Sequence, residues 1–429
     1  AAPGAVSEPL PPVFADWFAA RGWTLHPHQA EVLAAARAGR SALVIAPTGG
    51  GKTLAGFLPS LVELADATDR PCPHTLYISP LKALATDIAR NLATPVREMS
   101  LDVRVETRTG DTPQNRRQRQ RKHPPHILLT TPESLALLLA YPDAGDYFAG
   151  LQRVVVDELH ALVPNKRGQL LGLGIARLRR LAPGLQVVGL SATVAEPELL
   201  RDWLDHPDAP ARLIQRREGA APTIDLVIAG GHMPWSGHFG VYAADELYRA
   251  IRAHGVTLVF TNTRSQAEII FQALWRLNDD NLAIALHHGS LEIDQRRKVE
   301  AAMAKGSLRA VVCTSSLDLG IDWGDVDLVV QVGAPKGASR LLQRIGRANH
   351  RLDEPSKALL VPGNRFEVLE CLAAKEAIES HALDGEVQHE RCLDVLAQHL
   401  VGTACSGPFD ADAVYAEVVH AGGYKGLPR

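Results

Sequence analysis

Residues 42–53 read Ala42-Leu43-Val44-Ile45-Ala46-Pro47-Thr48-Gly49-Gly50-Gly51-Lys52-Thr53, and this stretch decides the fold. An apolar run is followed by a glycine turn, and the turn by a helical pattern, Leu54 to Leu64. A strand, a glycine turn and a helix start in that order aim backbone N–H groups and a positive helix end at an anion. Lys52 adds a cation able to reach the β and γ phosphates of a nucleoside triphosphate, and Thr53 a hydroxyl for magnesium. Ala46 stands where glycine is usual. A glycine turn can be merely structural, but the Lys-Thr pair in this context selects Thr48, Gly49, Gly50, Gly51, Lys52 and Thr53 as a phosphate cradle.

Working outward, short apolar runs alternate with helical patterns at 42–46, 75–78, 127–130, 153–156 and 187–190. The rhythm restarts at 256–261, 283–286, 309–313 and 327–332, with a helical segment at 292–304. Such alternation predicts an α/β chain with two parallel sheets, each covered on both faces. Glycine and proline crowd 221–240, which predicts a hinge between a first unit, 1–220, and a second, 241–365. From 366 to 429 the pattern is helical (366–382, 391–403, 410–420) with no third parallel series, and the uncapped end GGYKGLPR predicts that the chain stops inside a third domain.

A second acid-bearing strand completes the chemistry. Val154-Val155-Val156 delivers Asp157 and Glu158 at its carboxyl end, where open α/β sheets bind ligands. Asp157 suits a magnesium shell, and Glu158 suits orienting and deprotonating an attacking water. Either acid alone is an ordinary strand-end carboxylate; downstream of a phosphate cradle, the pair points to nucleotide hydrolysis.

Composition excludes several classes. Hydrophobic content of 46% and charged content of 22% suit a globular protein of 429 residues, long enough for two or three domains. No run nears the roughly 18 apolar residues of a membrane span, and Ala1 to Pro12 lacks the pattern of a secretory signal. Five scattered cysteines suit a reducing cytosol rather than a disulfide or zinc framework. The net charge of −3 advertises no polyanion partner, although Arg116, Arg117, Arg119, Arg121, Lys122 and His123 form a basic run. A run of this kind is as readily a solvated helix face.

Asp157-Glu158-Leu159-His160 resembles the DExH box of superfamily 2 helicases, whose cores are two tandem RecA-like domains. Collinear stretches strengthen the resemblance: Gln29 in a Q-motif-like segment, Pro80 to Leu84, Thr109-Gly110-Asp111, Thr130-Thr131-Pro132-Glu133, Ser191-Ala192-Thr193, Phe260 to Arg264, His288-Gly289-Ser290, Cys313 to Asp322, and Gln343 to Arg351. DELHALVPNKRG, QRIGRANHR and VPGNRFEVLEC are similar to the Lhr (large helicase-related) group, in particular a bacterial branch associated with DNA ligase and damage response.

The resemblance implies an ATP- and magnesium-dependent motor that moves 3′ to 5′ on single-stranded DNA, or acts on tailed DNA or RNA–DNA duplexes, in DNA repair. It also implies a bacterial cytoplasmic setting and a winged helix whose start lies in this chain; the isolated core is expected to be a monomer. By motif position it assigns adenine recognition to Gln29, transition-state cations to Arg344 and Arg347, and cleft contacts to Asp322 and Gln343. Coupling falls to His160, Ser191 and Thr193, and strand contact to Lys82, Thr130, Thr131, Arg264, Thr314 and Ser315. Arg108 and the basic run border that track. Arg351 is displaced from the usual last arginine of its motif. Trp23 suits a core aromatic better than an adenine platform. Remodelling without unwinding and an RNA-directed helicase share these motifs, whereas a non-catalytic binding module fits poorly with Lys52, Thr53, Asp157, Glu158, Arg344 and Arg347 all present.

Overall fold

The computed structural model describes residues 10–46, 50–66, 72–205, 210–216, 221–228, 233–235, 239–318, 326–348, 355–385 and 391–429. Thr48, Gly49, Asp322 and Arg351 lie outside the described residues.

Seven strands form the first sheet: β1 Ala42–Ile45, β2 Thr75–Ile78, β3 Val105–Arg108, β4 Ile127–Thr130, β5 Arg153–Val156, β6 Gln186–Ser191 and β7 Arg212–Gln215. All pairings are parallel, in the order β3-β4-β2-β5-β6-β1-β7. β1, β2, β4 and β5 are buried along their whole length, which is why they read as continuous apolar runs. Helices cover both faces. Leu43, Leu76, Val154 and Val156 pack with Leu159, Leu171 and Trp203 on one side, and Val44, Tyr77 and Val155 with Phe57, Leu58 and Leu61 on the other.

The second sheet holds β8 Thr223–Leu226, β9 Thr257–Thr261, β10 Ile284–His287, β11 Ala310–Cys313, β12 Leu328–Val332 and β13 Lys357–Val361. Its order is β10-β11-β9-β12-β13-β8, again all parallel. The segment 221–240, expected as a hinge, therefore contributes an edge strand: Ile224 pairs in register with Ala358 and is 3% exposed. Its alternating Thr-Ile-Asp-Leu carries one buried residue, too weak a pattern to stand out beside the neighbouring glycines.

Strand order places the site. β6 lies between β1 and β5, with Ile45 beside Ser191 and Val156 beside Gly189. The phosphate loop, Ser191-Ala192 and Asp157 to His160 consequently leave the sheet side by side. In the second sheet Phe260 aligns with Cys313 and Gln331, so Thr261 to Arg264 and Thr314 share one edge.

The C-terminal stretch, expected as one helical unit from 366, divides between the two sheets. Helix Arg365–Glu379 packs Cys371, Ala374 and Ile378 on Ala338, Leu341 and Ile345 of the second unit. Helices Leu393–Ser406 and Ala411–Val418 instead dock on helix Lys166–Leu181 of the first, through Val395, Val414, Val418, Ala421 and Tyr424 against Leu170, Leu173 and Ala176. Arg177 closes this interface with its guanidinium on the hydroxyls of Thr403 and Ser406. Truncating Leu173, which is 0% exposed in that seam, is expected to cost about 2–5 kcal/mol. In Leu173→Ala, thermal unfolding should fall and limited proteolysis should cut the C-terminal helices earlier than in the parent.

Candidate active site

β5 ends in two acids with different surroundings. Asp157 is 6% exposed and Glu158 8%. Asp157 Oδ1 accepts the Glu158 N–H at 2.8 Å, and its Oδ2 accepts the Tyr77 hydroxyl from β2. Glu158 adopts left-handed backbone angles (φ 47°, ψ 47°) at the start of the short helix Leu159–Leu162. A non-glycine residue there is sterically disfavoured, and strain of this kind concentrates at functional positions.

Three cations or donors face this pair. Lys52, the first residue of helix Lys52–Asp66, folds its ammonium back onto the Ala46 carbonyl at 2.7 Å. His160 Nδ1 accepts the Ala192 N–H at 3.3 Å, which places the ring proton on Nε2, 3.5 Å from Glu158 Oε2. Arg347 comes from the second unit, with Nη2 3.9 Å from Glu158 Oε1 and donating to the Asp318 carbonyl at 3.0 Å.

The proton affinities follow. Burial pushes Asp157 up to about 6, helped by the adjacent Glu158 charge and opposed by the Tyr77 hydrogen bond and Lys52. Burial also pushes Glu158 upward, but His160, Lys52 and Arg347 more than offset it and hold its carboxyl below the usual range. Burial lowers Lys52 against the pull of both acids, and it lowers His160, keeping the ring neutral.

The two arginines of the last motif are not equivalent. Arg344, 4% exposed, is closed into a structural network: Nε donates to Asp318 Oδ1 at 2.8 Å, Nη1 to the Gln331 side chain, and the guanidinium lies 4.7 Å over the Phe260 ring. The expectation of two transition-state cations is thus corrected, because Arg344 is already engaged by a buried carboxylate. Arg347 faces the acids and keeps a buried Nε without a hydrogen-bond partner.

Gln29 is 2% exposed and fastens the phosphate loop: Oε1 accepts the His26 N–H at 3.0 Å and Nε2 donates to the Gly51 carbonyl at 3.4 Å. Gly51 has φ +73°, and a Cβ there would stand 2.9 Å from Gln29 Nε2, so the loop needs glycine at that point. Gly50 and Thr53 flank it at the helix start. One amide hydrogen and one lone pair of Gln29 remain for a ligand. Gln343 and His160 line the cleft between the units with Ser339 and Glu196. Ser191 is buried with its hydroxyl 3.1 Å from His160 Nδ1, whereas Thr193 is exposed. Trp23 is 49% exposed against Trp17 and Arg21, neither core nor near the loop.

Of the expected strand contacts, Thr130 is corrected. It is 0% exposed and its hydroxyl donates to the Arg108 carbonyl at 2.7 Å, tying β4 to β3. Thr131 stands at the N-cap position of helix Pro132–Leu139, its hydroxyl donating to the Ser134 hydroxyl at 3.3 Å rather than accepting a backbone N–H. Lys82 is exposed and pairs with Asp111 at 2.7 Å. Arg264 is exposed at the start of helix Arg264–Arg276, Thr314 precedes the turn Ser315–Leu317, and Ser315 is exposed on it. The basic run forms helix Gln114–Lys122, exposed at Arg116, Arg119 and Lys122, with several of its charges engaged within the chain: Arg117 donates to the Thr109 and Gly110 carbonyls, Arg119 pairs with Glu106, and Arg121 with Asp143. Arg108 is itself buried, donating to the Arg117 carbonyl.

Sequence reasoning missed Tyr77, Asp318, Gln331 and Asp384, whose importance lies in what they hold. Only Asp318 stood inside a quoted motif. No group of three or more His, Cys, Asp or Glu among the described residues forms a metal cluster.

Fold and site define a helicase core of the DEAD/DEAH-box class: residues 26–200 match the DEAD/DEAH box helicase family and 243–351 the helicase conserved C-terminal domain. Residues 376–429 match the winged helix domain of large helicase-related protein. The chain belongs to the Lhr (large helicase-related) family of ATP-dependent helicases. It is 37% identical to the ATP-dependent helicase Lhr-Core of Methanocaldococcus jannaschii, over 96% of this chain and 51% of that protein. It is 36% identical to the Lhr helicase/probable uracil glycosylase of Mycolicibacterium smegmatis, over 96% of this chain and 30% of that one. Among solved structures, Mycobacterium smegmatis helicase Lhr bound to ssDNA and AMP-PNP superposes with a TM-score of 0.88 at 37% identity, covering 98% of this chain and 56% of that chain. The helicase MrfA bound to DNA gives 0.79 at 26% identity, over 96% and 59%. The chain thus spans about half the length of the first curated relatives it matches. Among the described residues, no helix is long and apolar enough to cross a membrane.

The hydrogen bond from Tyr77 stabilises ionised Asp157. Tyr77→Phe is therefore expected to move the Asp157 titration above about 6, read by carboxyl carbon NMR across pH. The sign also fixes a stability effect. Because folding raises this pKa, ionised Asp157 opposes folding above pH 6 or so, and the opposition fades as pH falls through that value.

Proposed function

We propose that this chain is the motor part of an ATP-dependent helicase that hydrolyses ATP between its two sheet units and moves on single-stranded DNA. The observation that carries the proposal is the approach of Arg347, from the second unit, to within 3.9 Å of Glu158 on the first. A buried acid pair with one cation from each unit is the arrangement that makes hydrolysis conditional on cleft closure.

The residues present fit a magnesium nucleotide. Two adjacent carboxylates are nearly excluded from water, one of them pushed up to about 6 by burial and by the charge of its neighbour, and Arg347 Nε is buried without a partner. Gly50, Gly51, Lys52 and Thr53 would hold the phosphates, with Thr53 and Asp157 at the metal and Gln29 at the base. Bound there, the group supplies the phosphoanhydride to be cleaved and the divalent charge that offsets the acids. Glu158, kept ionised by His160, Lys52 and Arg347, orients water and accepts its proton at a carboxylate oxygen. Arg347 meets charge that develops on the far side of the cleft, and Arg344 and Gln343 position it from the helix that it directly follows. His160 and Ser191 link the acid strand to β6 and so to the hinge side of the site.

For the track we assign Lys82, Thr131, Arg264, Thr314 and Ser315, hydroxyl and cationic donors at the carboxyl edges of the two sheets. We place the first unit up to the residues before Thr223 and the second from β8 onward. Movement 3′ to 5′, a role in DNA repair and a cytoplasmic bacterial setting follow the motif resemblance described above, and the single strand follows the ligand of the M. smegmatis structure.

Lys52→Ala is expected to abolish ATP turnover while single-strand binding stays within about twofold, and Arg347→Ala to lower turnover by about a hundredfold. Colorimetric phosphate release and fluorescence anisotropy measure the two. Turnover undiminished in both variants would defeat the site assignment. Strand displacement on duplexes with 3′ or 5′ tails, with RNA exchanged for DNA in each strand, tests the motor; ATP turnover without displacement would identify a remodelling ATPase instead.

A further inference from the structure

The helix that carries the arginine motif, Ala338–Ile345, starts without a cap of its own. Its N-cap is Gly337, which has no side chain to accept the orphan N–H groups of the first turn. The missing acceptor comes from 45 residues further along the chain. Asp384 Oδ1 accepts the Ser339 N–H at 2.8 Å, and the Asp384 carbonyl accepts the Ser339 hydroxyl at 2.8 Å. The approach is tight: a Cβ on Gly337, whose φ is +103°, would stand 2.4 Å from Asp384 Oδ2. A carboxylate held there also complements the positive end of the helix.

The place of Asp384 in the chain gives the contact a consequence. It lies on the stretch joining helix Arg365–Glu379, packed on the second unit, to helices Leu393–Ser406 and Ala411–Val418, docked on the first. Asp384 and Gly385, in the first part of that connection, share a cavity wall in the cleft with His160 and Glu196 of the first unit and Ser339 and Gln343 of the second. A Cβ on Gly385 would be 3.8 Å from the Glu196 carboxyl, three residues after Thr193. The capping acid therefore binds the arginine helix while its neighbour Gly385 lines the same cavity as His160 and Glu196 of the first unit.

We propose that Asp384 is a positioning residue for ATP hydrolysis: by capping the arginine helix from the wall of the cleft, it sets where Arg347 meets Glu158. The proposal rests on the reading that Arg347 serves the reaction. A cap that only stabilised a helix would alter unfolding and leave turnover per folded molecule unchanged. A positioning cap acts on the turnover number and works through Arg347.

The test uses the full chain and four variants: Asp384→Ala, Asp384→Asn, Arg347→Ala, and Asp384→Ala with Arg347→Ala. Steady-state ATP hydrolysis with single-stranded DNA gives kcat and KM, and a fluorescent ATP analogue reports nucleotide binding and hence intact folding. Asp384→Ala is expected to lower kcat by about tenfold with analogue binding within about twofold. Asp384→Asn keeps an acceptor of the same shape and is expected to restore most of the loss. In the Arg347→Ala background, removing Asp384 is expected to change kcat no further. Wild-type kcat in Asp384→Ala, an Asn variant as slow as the Ala variant, or fully additive losses would each overturn the proposal. Wild-type turnover in Arg347→Ala would instead remove the reading beneath it, a distinguishable failure.

Discussion

Two carboxylates side by side at the end of one buried strand cannot both be ionised at low cost. Asp157 and Glu158 are each under a tenth exposed, and their mutual repulsion adds to the penalty of burial. The first sheet unit offers Lys52 and the neutral donor His160 against them, and the second offers Arg347. Neither unit alone balances the charge. The asymmetry in the pair is useful: Glu158 stays ionised because the cations lie on its side, whereas Asp157, held by a tyrosine and a backbone N–H, retains its affinity for a further positive charge.

On the opposite side of the cleft, one acid organises the arginines. Asp318 binds Arg340 and Arg344 through its carboxylate and Arg347 through its carbonyl. It directly follows the turn Ser315–Leu317, whose first residues carry the hydroxyls assigned to the nucleic-acid track. Track and cleft are thus a few residues apart on one short element. A strand that shifts Thr314 or Ser315 must shift the anchor of the arginine helix. This is a physical route for nucleic acid to influence hydrolysis, requiring only the rigidity of a buried, bidentate arginine–carboxylate pair.

How much of this was legible in the sequence depends on burial. β1, β2, β4 and β5 announce themselves because both their faces are covered, so nearly every residue is apolar, the exceptions being Thr75, Thr130 and Arg153 at strand ends. β3, β7 and β8 are edge strands, and β13 is next to an edge; their partly exposed, polar positions blur the pattern, and they were not seen. The acid pair and the lysine were legible because the chemistry demands those residue types at strand ends. Hydrogen-bond economy was not. Thr130 and Arg344 occupy motif positions, yet tertiary partners engage the hydroxyl of one and the guanidinium of the other, and nothing in linear spacing reveals Arg108 or Asp318 as those partners.

The path of the chain after β13 bears on how far the two units can part. Inter-unit contacts that consist only of side chains across a cleft would leave opening limited by the linker before β8. Here the chain returns: having packed helix Arg365–Glu379 on the second unit, it lines the cleft at Asp384 and Gly385 and further on buries Tyr424 and Val414 against the first. The units are therefore joined by two covalent crossings, one before β8 and one through Asp384. Two chain connections between the units restrict their relative motion more than one does, favouring a reproducible closure over free rotation. An enzyme whose Arg347 must arrive within a few ångströms of Glu158 benefits from that restriction directly, because misplacement of a stabilising charge costs rate steeply. The helical stretch that the sequence offered as the start of a winged helix matches that domain, and in the folded chain its packing also joins the second unit to the first.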